Sequence, residues 1–304
     1  MPPRSVAARL VHGTVFGGNL VGAYLRLSRW IWGHLPRRLA AFAPVRSYGH
    51  FVHALVRLRA DRTQSHGTFF LRNRPELKLM CRISDRLGRR ASLRIAVLAC
   101  STGAEVYSIL WTMRSIRPDL KITMMAGDIS KDALEFARKG IYSLNRIDLQ
   151  DPSIFERLTD EEMREMFEAE ADGLRIKSWL REAVSWHVID AGDPTILNVL
   201  GPQDIVVANR FLCHMDPEDA ERCLRNIAQL VDRGGYLFVS GIDLDVRAKV
   251  AQDLKWSPVL DSMEDIHEGD PCLRNHWPWH YTGLEPFDKK RQDWKVRYAS
   301  VFAV

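Results

Sequence analysis

The residues best suited to chemistry follow a predicted strand. The apolar run Leu93–Ala99 is typical of a buried strand, and Ser101-Thr102-Gly103 separates it from a helical stretch that begins at Ala104. Such a turn brings backbone N–H groups and a helix N-terminus close to a ligand, because glycine at position 103 makes the approach sterically possible. The pattern predicts a ligand site, although a purely structural turn has the same form.

An acidic residue, Asp128, follows the next predicted strand, Lys121–Ala126. At this place in a parallel sheet, a carboxylate can accept hydrogen bonds from both ribose hydroxyls of a nucleoside. The S-T-G-A-E turn lacks the G-x-G-x-x-G pattern that favours a dinucleotide pyrophosphate. A nucleoside without a pyrophosphate indicates S-adenosylmethionine, while an NAD(P) or ATP site stays open as an alternative.

The elements that position these residues alternate between strands and helices. Predicted strands are Leu93–Ala99, Lys121–Ala126, Val184–Ile189, Asp204–Ala208, Tyr236–Ser240 and Val296–Val304, and predicted helices are Pro75–Leu87, Ala104–Ile116, Lys131–Lys139 and Pro217–Val231. Two consecutive strand–helix units predict a parallel sheet and an α/β fold. Residues 142–185 interrupt the alternation with an acidic helix, Asp160–Glu168, and a strand-like run, Leu174–Ile176, which we interpret as a small inserted subdomain.

Charge is unevenly distributed along the chain. The 304 residues carry a net charge of +5, but residues 1–94 contain 18 Lys and Arg against 3 Asp and Glu, a net of +15, which leaves −10 for the rest. A basic surface of this kind attracts an acidic protein helix, anionic lipid or nucleic acid, although it is equally typical of a solvated helical surface.

Five scattered cysteines without CxxC spacing indicate neither disulfides nor a zinc site, so no metal is expected.

The basic N-terminal residues predict a small helical domain, which we assign to residues 1–65. Between residues 21 and 62 apolar side chains recur mostly at helical spacing, with prolines as breaks. Arg26 ends the preceding apolar stretch before it reaches the roughly 20 residues of a membrane-spanning helix. Trp30-Ile31-Trp32, beside several arginines, would suit a helix on an anionic membrane surface or one packed on the rest of the fold.

Several short motifs follow one another along most of the chain. They are Thr68-Phe69-Phe70-Leu71-Arg72, Ala99–Ser108, Ala126–Ser130, Gly140-Ile141-Tyr142, Leu158-Thr159-Asp160, Met166-Phe167 and Asp204–Arg210. In this order they resemble the chemotaxis-receptor methyltransferases of the CheR type, which methylate receptor glutamates, over residues 36–245. The resemblance implies a Rossmann-like class I methyltransferase fold: a mostly parallel seven-stranded sheet with a small helical N-terminal domain and a small inserted subdomain. Residues 66–304 would form the S-adenosylmethionine-binding domain, ending in an aromatic extension over residues 255–304.

The resemblance also implies roles for individual residues. The implied cofactor-binding residues are Thr68, Arg72, Ser101, Gly103, Glu105, Asp128, Ile129, Asp190, Ala191, Ala208 and Asn209. Thr68 and Arg72 would face the methionine end of S-adenosylmethionine, and Arg72 would bind the carboxylate of this end through two N–H groups. Glu105 would offset the ammonium or sulfonium charge, Asp128 would hold the ribose, and Asp190-Ala191 would contact the adenine side.

The region expected to bind the methyl acceptor departs from the family. Asn209-Arg210 reverses the family's Arg-Asn order, and His214 replaces its active-site tyrosine. A carboxylate acceptor needs no general base. Arg210 could then orient the acceptor, because a guanidinium group binds a carboxylate through two N–H groups. A hydroxyl acceptor would benefit from a base, for which His214 is the candidate, although a packing or helix-capping role fits this histidine equally well. Arg210 and His214 are therefore the candidate catalytic residues.

Three functions are compatible with these residues. The first is methylation of a protein glutamate carboxylate, with an acidic protein helix docking on the basic N-terminal residues. The second is O-methylation of a small metabolite or surface sugar, with His214 and the aromatic residues 277–281 forming the acceptor pocket. The third is a non-catalytic S-adenosylmethionine-binding regulator.

A nucleic-acid substrate is not expected, because no N-P-P-Y loop follows the fourth strand. The expected location is the cytoplasm, with peripheral contact to the inner membrane surface as an option.

Overall fold

The computed structural model describes residues 15–34, 42–63, 67–87, 92–145, 152–171 and 173–304. Residues 36–41, at the start of the region that resembles the CheR-type methyltransferases, and residues 88–91, which follow the predicted helix Pro75–Leu87, lie outside the described residues.

The chain divides into two compact units. One comprises the residues up to Asp61 together with Pro271–Pro286, and the other comprises Arg62–Asp270 together with Phe287–Val304. The predicted domain boundary after residue 65 stays a prediction. Nothing in the sequence indicated that residues 271–286 group with the N-terminal helices.

The described helices and strands are numbered in chain order. The helices are α1 (Val15–His34), α2 (Ala43–Arg59), α3 (Arg74–Leu87), α4 (Ala104–Ile116), α5 (Lys131–Lys139), α6 (Asp160–Met166), α7 (Ser178–Arg181), α8 (Ile196–Leu200), α9 (Pro217–Ala228), α10 (Leu244–Asp253), α11 (Met263–Glu268), α12 (Pro271–His276) and α13 (Trp294–Tyr298). The strands are β1 (Ser92–Leu98), β2 (Lys121–Asp128), β3 (Ile141–Tyr142), β4 (Phe167–Glu170), β5 (Gly173–Ile176), β6 (Val184–Val188), β7 (Gln203–Asn209), β8 (Val231–Ser240), β9 (Ser257–Pro258) and β10 (Val301–Ala303).

Aromatic packing holds the first unit together. Trp32 on α1 packs edge-on against Trp277 and Trp279, with ring centroids 5.7 and 6.1 Å apart. Gly49 on α2 leaves room for one of these rings, since a Cβ atom at this position would lie 2.3 Å from Trp277 Cη2. The aromatic segment, which the sequence assigns to the C-terminal extension, therefore packs into the first unit.

The second unit is built on a seven-stranded sheet. Its strand order is β6-β2-β1-β7-β8-β10-β9, in which the first five strands run parallel and β10 runs antiparallel to both of its neighbours. The central strands are apolar runs, such as Ile95–Leu98, that are buried on both faces of the sheet. This arrangement confirms the predicted Rossmann-like class I fold. The strand order reverses between β1 and β7, and ligands bind at the carboxyl ends of strands at such a point.

The inserted subdomain has a small sheet of its own. Strands β3, β5 and β4 pair antiparallel in that order. Thr159 begins α6 through a capping box with Glu162. The acidic helix ends at Met166 instead of Glu168, because Phe167 and Glu168 pair with β5.

The prediction of the last strand is wrong in its first half. Val296–Val304 has the apolar alternation of one strand, whereas the structure begins this segment in α13 and pairs only Val301–Ala303 with β8. The N–H of Arg297 donates to Asp293 O, and the buried Arg247 donates to the Arg297 carbonyl. These hydrogen bonds keep the first half helical against its local strand preference.

A buried carboxylate ties the central strands together below the site. Asp204 on β7 accepts hydrogen bonds from the backbone N–H of Arg94 at 2.8 Å and from Arg94 Nη2 at 3.0 Å. The same Nη2 donates to Asp232 on β8 at 2.6 Å. Because Asp204 is almost fully buried, its loss leaves donors on β1 without an acceptor.

We expect Asp204→Ala to lower the free energy of unfolding by about 2 kcal/mol, because it removes the buried acceptor of the Arg94 N–H and guanidinium. Chemical denaturation measures the change. Asp219→Ala, which removes the exposed partner of Arg222, is the matched control and should leave stability nearly unchanged. Equal losses in the two variants would contradict the role given to Asp204.

Candidate functional site

A cavity of about 330 Å³ opens at the carboxyl ends of β1, β2 and β7. Its lining residues lie within the segments 67–77, 99–108, 128–129, 189–191 and 209–215. All of these segments belong to the second unit. The cavity is therefore at the ligand-binding edge that the strand order predicts.

The turn between β1 and α4 adopts a left-handed backbone conformation. Ser101 and Gly103 have φ angles of +50° and +87°. A Cβ atom at position 103 would approach Ala137 Cβ to 3.0 Å, so both conformation and space require glycine. The buried Tyr142 hydroxyl supports the turn by donating to Thr102 O at 2.5 Å. The N-terminal end of α4 is thus held at the cavity wall.

The Asp128 carboxylate lies at the cavity wall, at the end of β2. Its Oδ2 accepts from the N–H of Ser101 at 2.8 Å, and its Oδ1 accepts from the N–H of Ser130 at 2.9 Å. Each carboxylate oxygen has two lone pairs, so one on each oxygen remains for a ligand. Two acceptor positions on one carboxylate match the two adjacent hydroxyls of a ribose.

Asn209, the last residue of β7, joins two acidic side chains at the cavity wall. Its Nδ2 donates to Glu76 Oε1 on α3 and to Glu105 Oε1 on α4, both at 2.8 Å. Its Oδ1 accepts from the N–H and the hydroxyl of Ser240 at 2.9 and 2.8 Å. Ser240, at the end of β8, fixes the amide oxygen of Asn209, so the amide nitrogen holds both carboxylates in place.

Glu76 carries a carboxylate oxygen without a hydrogen bond. Asn73 positions it by capping α3, since the Glu76 N–H donates to Asn73 Oδ1 at 3.3 Å. Its Oε2 is buried and has no partner among the described residues. Burial and the nearby Glu105 carboxylate raise the pKa of Glu76 to about 7, although Arg210 and the Asn209 amide oppose the shift. Burial also raises the pKa of Glu105.

Three arginine side chains converge on Asp270. Arg72 Nε and Arg210 Nη1 donate to its Oδ2 at 2.8 and 2.7 Å, and Arg157 Nη2 lies 3.3 Å from its Oδ1. Burial alone would raise the pKa of Asp270, but the charges of the three arginines outweigh it and lower that pKa. Burial and the charge of Arg210 lower the pKa of Arg72 to about 10. Arg157 also pairs with Glu156, whose Oε1 lies 3.5 Å from Arg157 Nε, and the other two arginines, Arg72 and Arg210, line the cavity.

The structure brings most of the sequence-predicted site residues to one cavity. Those that line it are Thr68, Arg72, Ser101, Glu105, Asp128, Ile129, Asp190, Ala191, Asn209, Arg210 and His214. Gly103 and Ala208 do not line it: Gly103 caps α4, and Ala208 is fully buried within β7. The binding and catalytic roles of these residues remain predictions.

Sequence reasoning missed Glu76 and Asp270. Glu76 falls in the first turn of a predicted helix, where exposed acids are common because of the helix dipole, so its type and position gave no separate signal. Asp270 pairs with Arg72 across 198 residues, and such a contact leaves no local pattern in the sequence. Both acids follow from the tertiary structure alone.

The charges of the cavity fit S-adenosylmethionine. This molecule combines a nucleoside with an amino-acid carboxylate, an ammonium and a sulfonium. Asp128 offers acceptors to the ribose, Glu76 and Glu105 can offset the two cations, and Arg72 can bind the carboxylate through its Nη atoms. The buried Glu76 Oε2, which has no described partner, is suited to a donor or cation on the ligand.

We expect the affinity for S-adenosylmethionine to rise with pH up to about neutrality. In the free protein Glu76 is largely protonated below its pKa of about 7, whereas a cationic ligand favours the ionised carboxylate. Binding then releases a proton, so the dissociation constant should fall by up to about tenfold per pH unit below this pKa and level off above it. Isothermal titration calorimetry across this pH range measures the trend.

Glu76→Gln is the matched control, because it keeps the acceptor for Asn209 and removes the titrating proton. Its dissociation constant should be weaker and nearly independent of pH over the same range. A pH dependence in Glu76→Gln equal to that of the wild type would contradict the assignment.

Comparisons with known proteins point to one family. Residues 66–247 match the family model described as CheR methyltransferase, SAM binding domain. The chain is 28% identical over 153 residues to a chemotaxis protein methyltransferase of Vibrio parahaemolyticus, an alignment that covers 48% of this chain and 52% of the relative. It is 28% identical over 176 residues to chemotaxis protein methyltransferase 2 of Pseudomonas aeruginosa, covering 56% and 60%. It is 25% identical over 191 residues to a probable biofilm formation methyltransferase, WspC, of Pseudomonas putida, covering 62% and 42%.

The chain spans about half the length of these curated relatives. The family model, however, matches more than half of the chain and includes every segment that lines the cavity. The match confirms both the resemblance drawn from the motifs and the predicted cofactor. The chain therefore belongs to the CheR methyltransferase family, and residues 66–247 form its S-adenosylmethionine-binding domain.

Proposed function

We propose that the protein transfers a methyl group from S-adenosylmethionine to a carboxylate oxygen of a protein glutamate in the cytoplasm. The observation that carries this proposal is the position of Arg210, which lines the cavity and donates to Asp270 through one guanidinium nitrogen. The remaining N–H groups of this guanidinium favour a carboxylate acceptor beside the cofactor. The name of two relatives, chemotaxis protein methyltransferase, also favours a protein acceptor.

The chemistry requires alignment more than acid–base catalysis. When bound, S-adenosylmethionine supplies the methyl group: an acceptor oxygen forms the new C–O bond, the methyl–sulfur bond breaks, and the sulfonium becomes a neutral thioether. The protein's task is to orient the two reactants in line and to exclude water. Asp128 and Arg72 would hold the two ends of the cofactor, while Glu105 and Glu76 would offset its positive charge.

Arg210 would orient the acceptor. Its backbone has a φ of +66°, and Gly241 leaves room for it, since a Cβ atom there would lie 2.5 Å from Arg210 Cα. One guanidinium nitrogen is held by Asp270, and the other N–H groups can bind a second carboxylate. Since a glutamate side chain is ionised at neutral pH, this mechanism assigns no proton transfer to His214.

A hydroxyl acceptor is the second candidate, and it is favoured by the position of His214 at the cavity wall. In that reaction the imidazole would take the hydroxyl proton of a small metabolite or a surface sugar. The aromatic residues 277–281, expected to help form this pocket, belong to the first unit, whereas the lining residues of the cavity belong to the second. His214 alone therefore supports this alternative.

Incubation of the purified chain with methyl-tritiated S-adenosylmethionine and a cell extract tests the acceptor. We expect label in protein, released as methanol by mild base because it is held as an ester. His214→Ala should keep turnover within about threefold of the wild type, since a carboxylate needs no base. Arg210→Gln should lower turnover at least about tenfold, since it removes a charged hydrogen-bond donor to the acceptor.

Different results would favour the other candidates. Label in a small-molecule or lipid-linked fraction, together with a loss of about 100-fold or more in His214→Ala, would favour a hydroxyl acceptor. An absence of transfer despite measurable cofactor binding would favour a non-catalytic regulator. Asp219→Ala, on the exposed surface of α9, is the control for nonspecific effects of substitution.

A further inference from the structure

Two arginines of the cavity wall share one oxygen of a buried carboxylate. Asp270 Oδ2 accepts from Arg72 Nε at 2.8 Å and from Arg210 Nη1 at 2.7 Å. The Asp270 side chain is only 3% exposed, whereas both arginines line the cavity. Arg72 is the residue to which we assign the carboxylate of the cofactor, and Arg210 is the residue to which we assign the carboxylate of the acceptor. One buried anion therefore connects the two ends of the reaction.

The segment that carries Asp270 is fixed to the residue next to Arg72. Asn73 Nδ2 donates to Ile266 O at 2.9 Å, and the N–H of Gly269 donates to the same carbonyl at 3.2 Å. A Cβ atom at position 269 would lie 2.6 Å from Asn73 Oδ1, so glycine permits this close packing. The carboxylate of Asp270 is thus a fixed point to which the longer arginine side chains are tied.

Arg157 orients the carboxylate through its other oxygen. Arg157 Nη2 lies 3.3 Å from Asp270 Oδ1, and Arg157 Nη1 donates to the Arg72 carbonyl at 2.6 Å. The guanidinium carbon of Arg157 also lies 4.8 Å from the centre of the Phe69 ring, and that of Arg72 lies 5.2 Å from it. With Oδ1 directed to Arg157, Oδ2 faces the two arginines of the cavity wall.

The two cavity arginines would separate without this anion. Burial and the like charge of Arg210 lower the pKa of Arg72 to about 10, which reflects their repulsion. Burial opposes the ionisation of Asp270, but the charges of the arginines outweigh it and lower the pKa of Asp270, so this carboxylate is ionised at neutral pH. An ionised acceptor shared by both guanidinium groups keeps them close to each other.

We propose that Asp270 is a positioning residue for methyl transfer, which sets the distance between the bound cofactor and a carboxylate acceptor by holding Arg72 and Arg210 on one oxygen. An in-line displacement is sensitive to this distance, because a small shift of either reactant slows the reaction. Asp270 would contact neither reactant and would act through the two arginines alone. It lies outside residues 66–247, which match the family model. The inference rests on the proposed function, because it takes Arg210 to bind the acceptor.

Separate measurements of turnover and cofactor affinity in Asp270→Asn test the proposal. Turnover is the initial rate of base-labile labelling of cell-extract protein at saturating methyl-tritiated S-adenosylmethionine. This rate should fall at least about tenfold, because the amide keeps the size of the side chain but removes the charge that both arginines share. The dissociation constant of S-adenosylhomocysteine, measured by calorimetry, should change less than about threefold, since the carboxylate of the ligand can itself pair with Arg72. A purely structural role would not separate the two quantities.

Rescue with formate tests the carboxylate itself. Asp270→Ala leaves a space beside the cavity, in which formate can pair with Arg72 and Arg210. Sodium formate should raise the initial rate of this variant at least about fivefold relative to sodium chloride at the same concentration. It should not raise the rate of Asp270→Asn, whose amide fills the space, or that of Arg210→Gln, which keeps the carboxylate. If Asp270→Ala does not fold by circular dichroism, the separation of rate and affinity in Asp270→Asn decides alone.

Asp204→Asn is the matched control, because Asp204 is an equally buried carboxylate that pairs with Arg94 below the site. It should lower stability, keep the initial rate within about twofold of the wild type and show no response to formate.

The outcomes distinguish this inference from the proposed function. A normal rate in Asp270→Asn, together with a loss of at least about tenfold in Arg210→Gln, would overturn the role of Asp270 and leave the proposed function intact. Equal losses of rate and cofactor affinity in Asp270→Asn, or a folded Asp270→Ala that does not respond to formate, would also overturn it. A normal rate in Arg210→Gln would instead overturn the proposed acceptor contact, and this inference with it.

Discussion

The site depends above all on the side-chain amide of Asn209. Its two N–H bonds hold the carboxylates of Glu76 and Glu105, which come from different helices, and its oxygen is anchored by Ser240 at the end of β8. Two buried acids side by side repel each other and resist ionisation, as the pKa of about 7 for Glu76 reflects. A shared donor on a rigid central strand keeps them together at the cavity wall, ready to face a cationic ligand.

The cavity wall carries both negatively and positively charged side chains, which suits its cofactor. Asp128, Glu76 and Glu105 supply acceptors and negative charge, while Arg72 and Arg210 supply positive charge that Asp270 only partly offsets. Each charged group has a protein partner, which stabilises this arrangement without ligand. Glu76 Oε2 nevertheless has no hydrogen-bond partner among the described residues. Part of the cost of burying these acids is therefore recovered when a cation binds.

Features of the fold and site that depend on local chemistry could be predicted from the sequence. The central strands follow from apolar runs, the turn at Gly103 from its small residues, and Asp128 from its place after a strand. Contacts between distant segments could not be predicted: Asp270 reaches its arginines from a region without periodic signals. Residues 271–286 likewise join the first unit by aromatic packing, which composition does not encode. In the first half of Val296–Val304, the tertiary hydrogen bond from Arg247 to the Arg297 carbonyl overrides an alternating pattern that favours a strand.

A crystal structure with bound S-adenosylhomocysteine tests the cofactor site most directly. The ribose hydroxyls should lie within about 3 Å of the two Asp128 oxygens, and the amino group should lie at a similar distance from Glu105 or from Glu76 Oε2. The ligand carboxylate should contact Arg72. A ribose that faces away from Asp128, or a ligand bound outside the cavity, would contradict the assignment of this site.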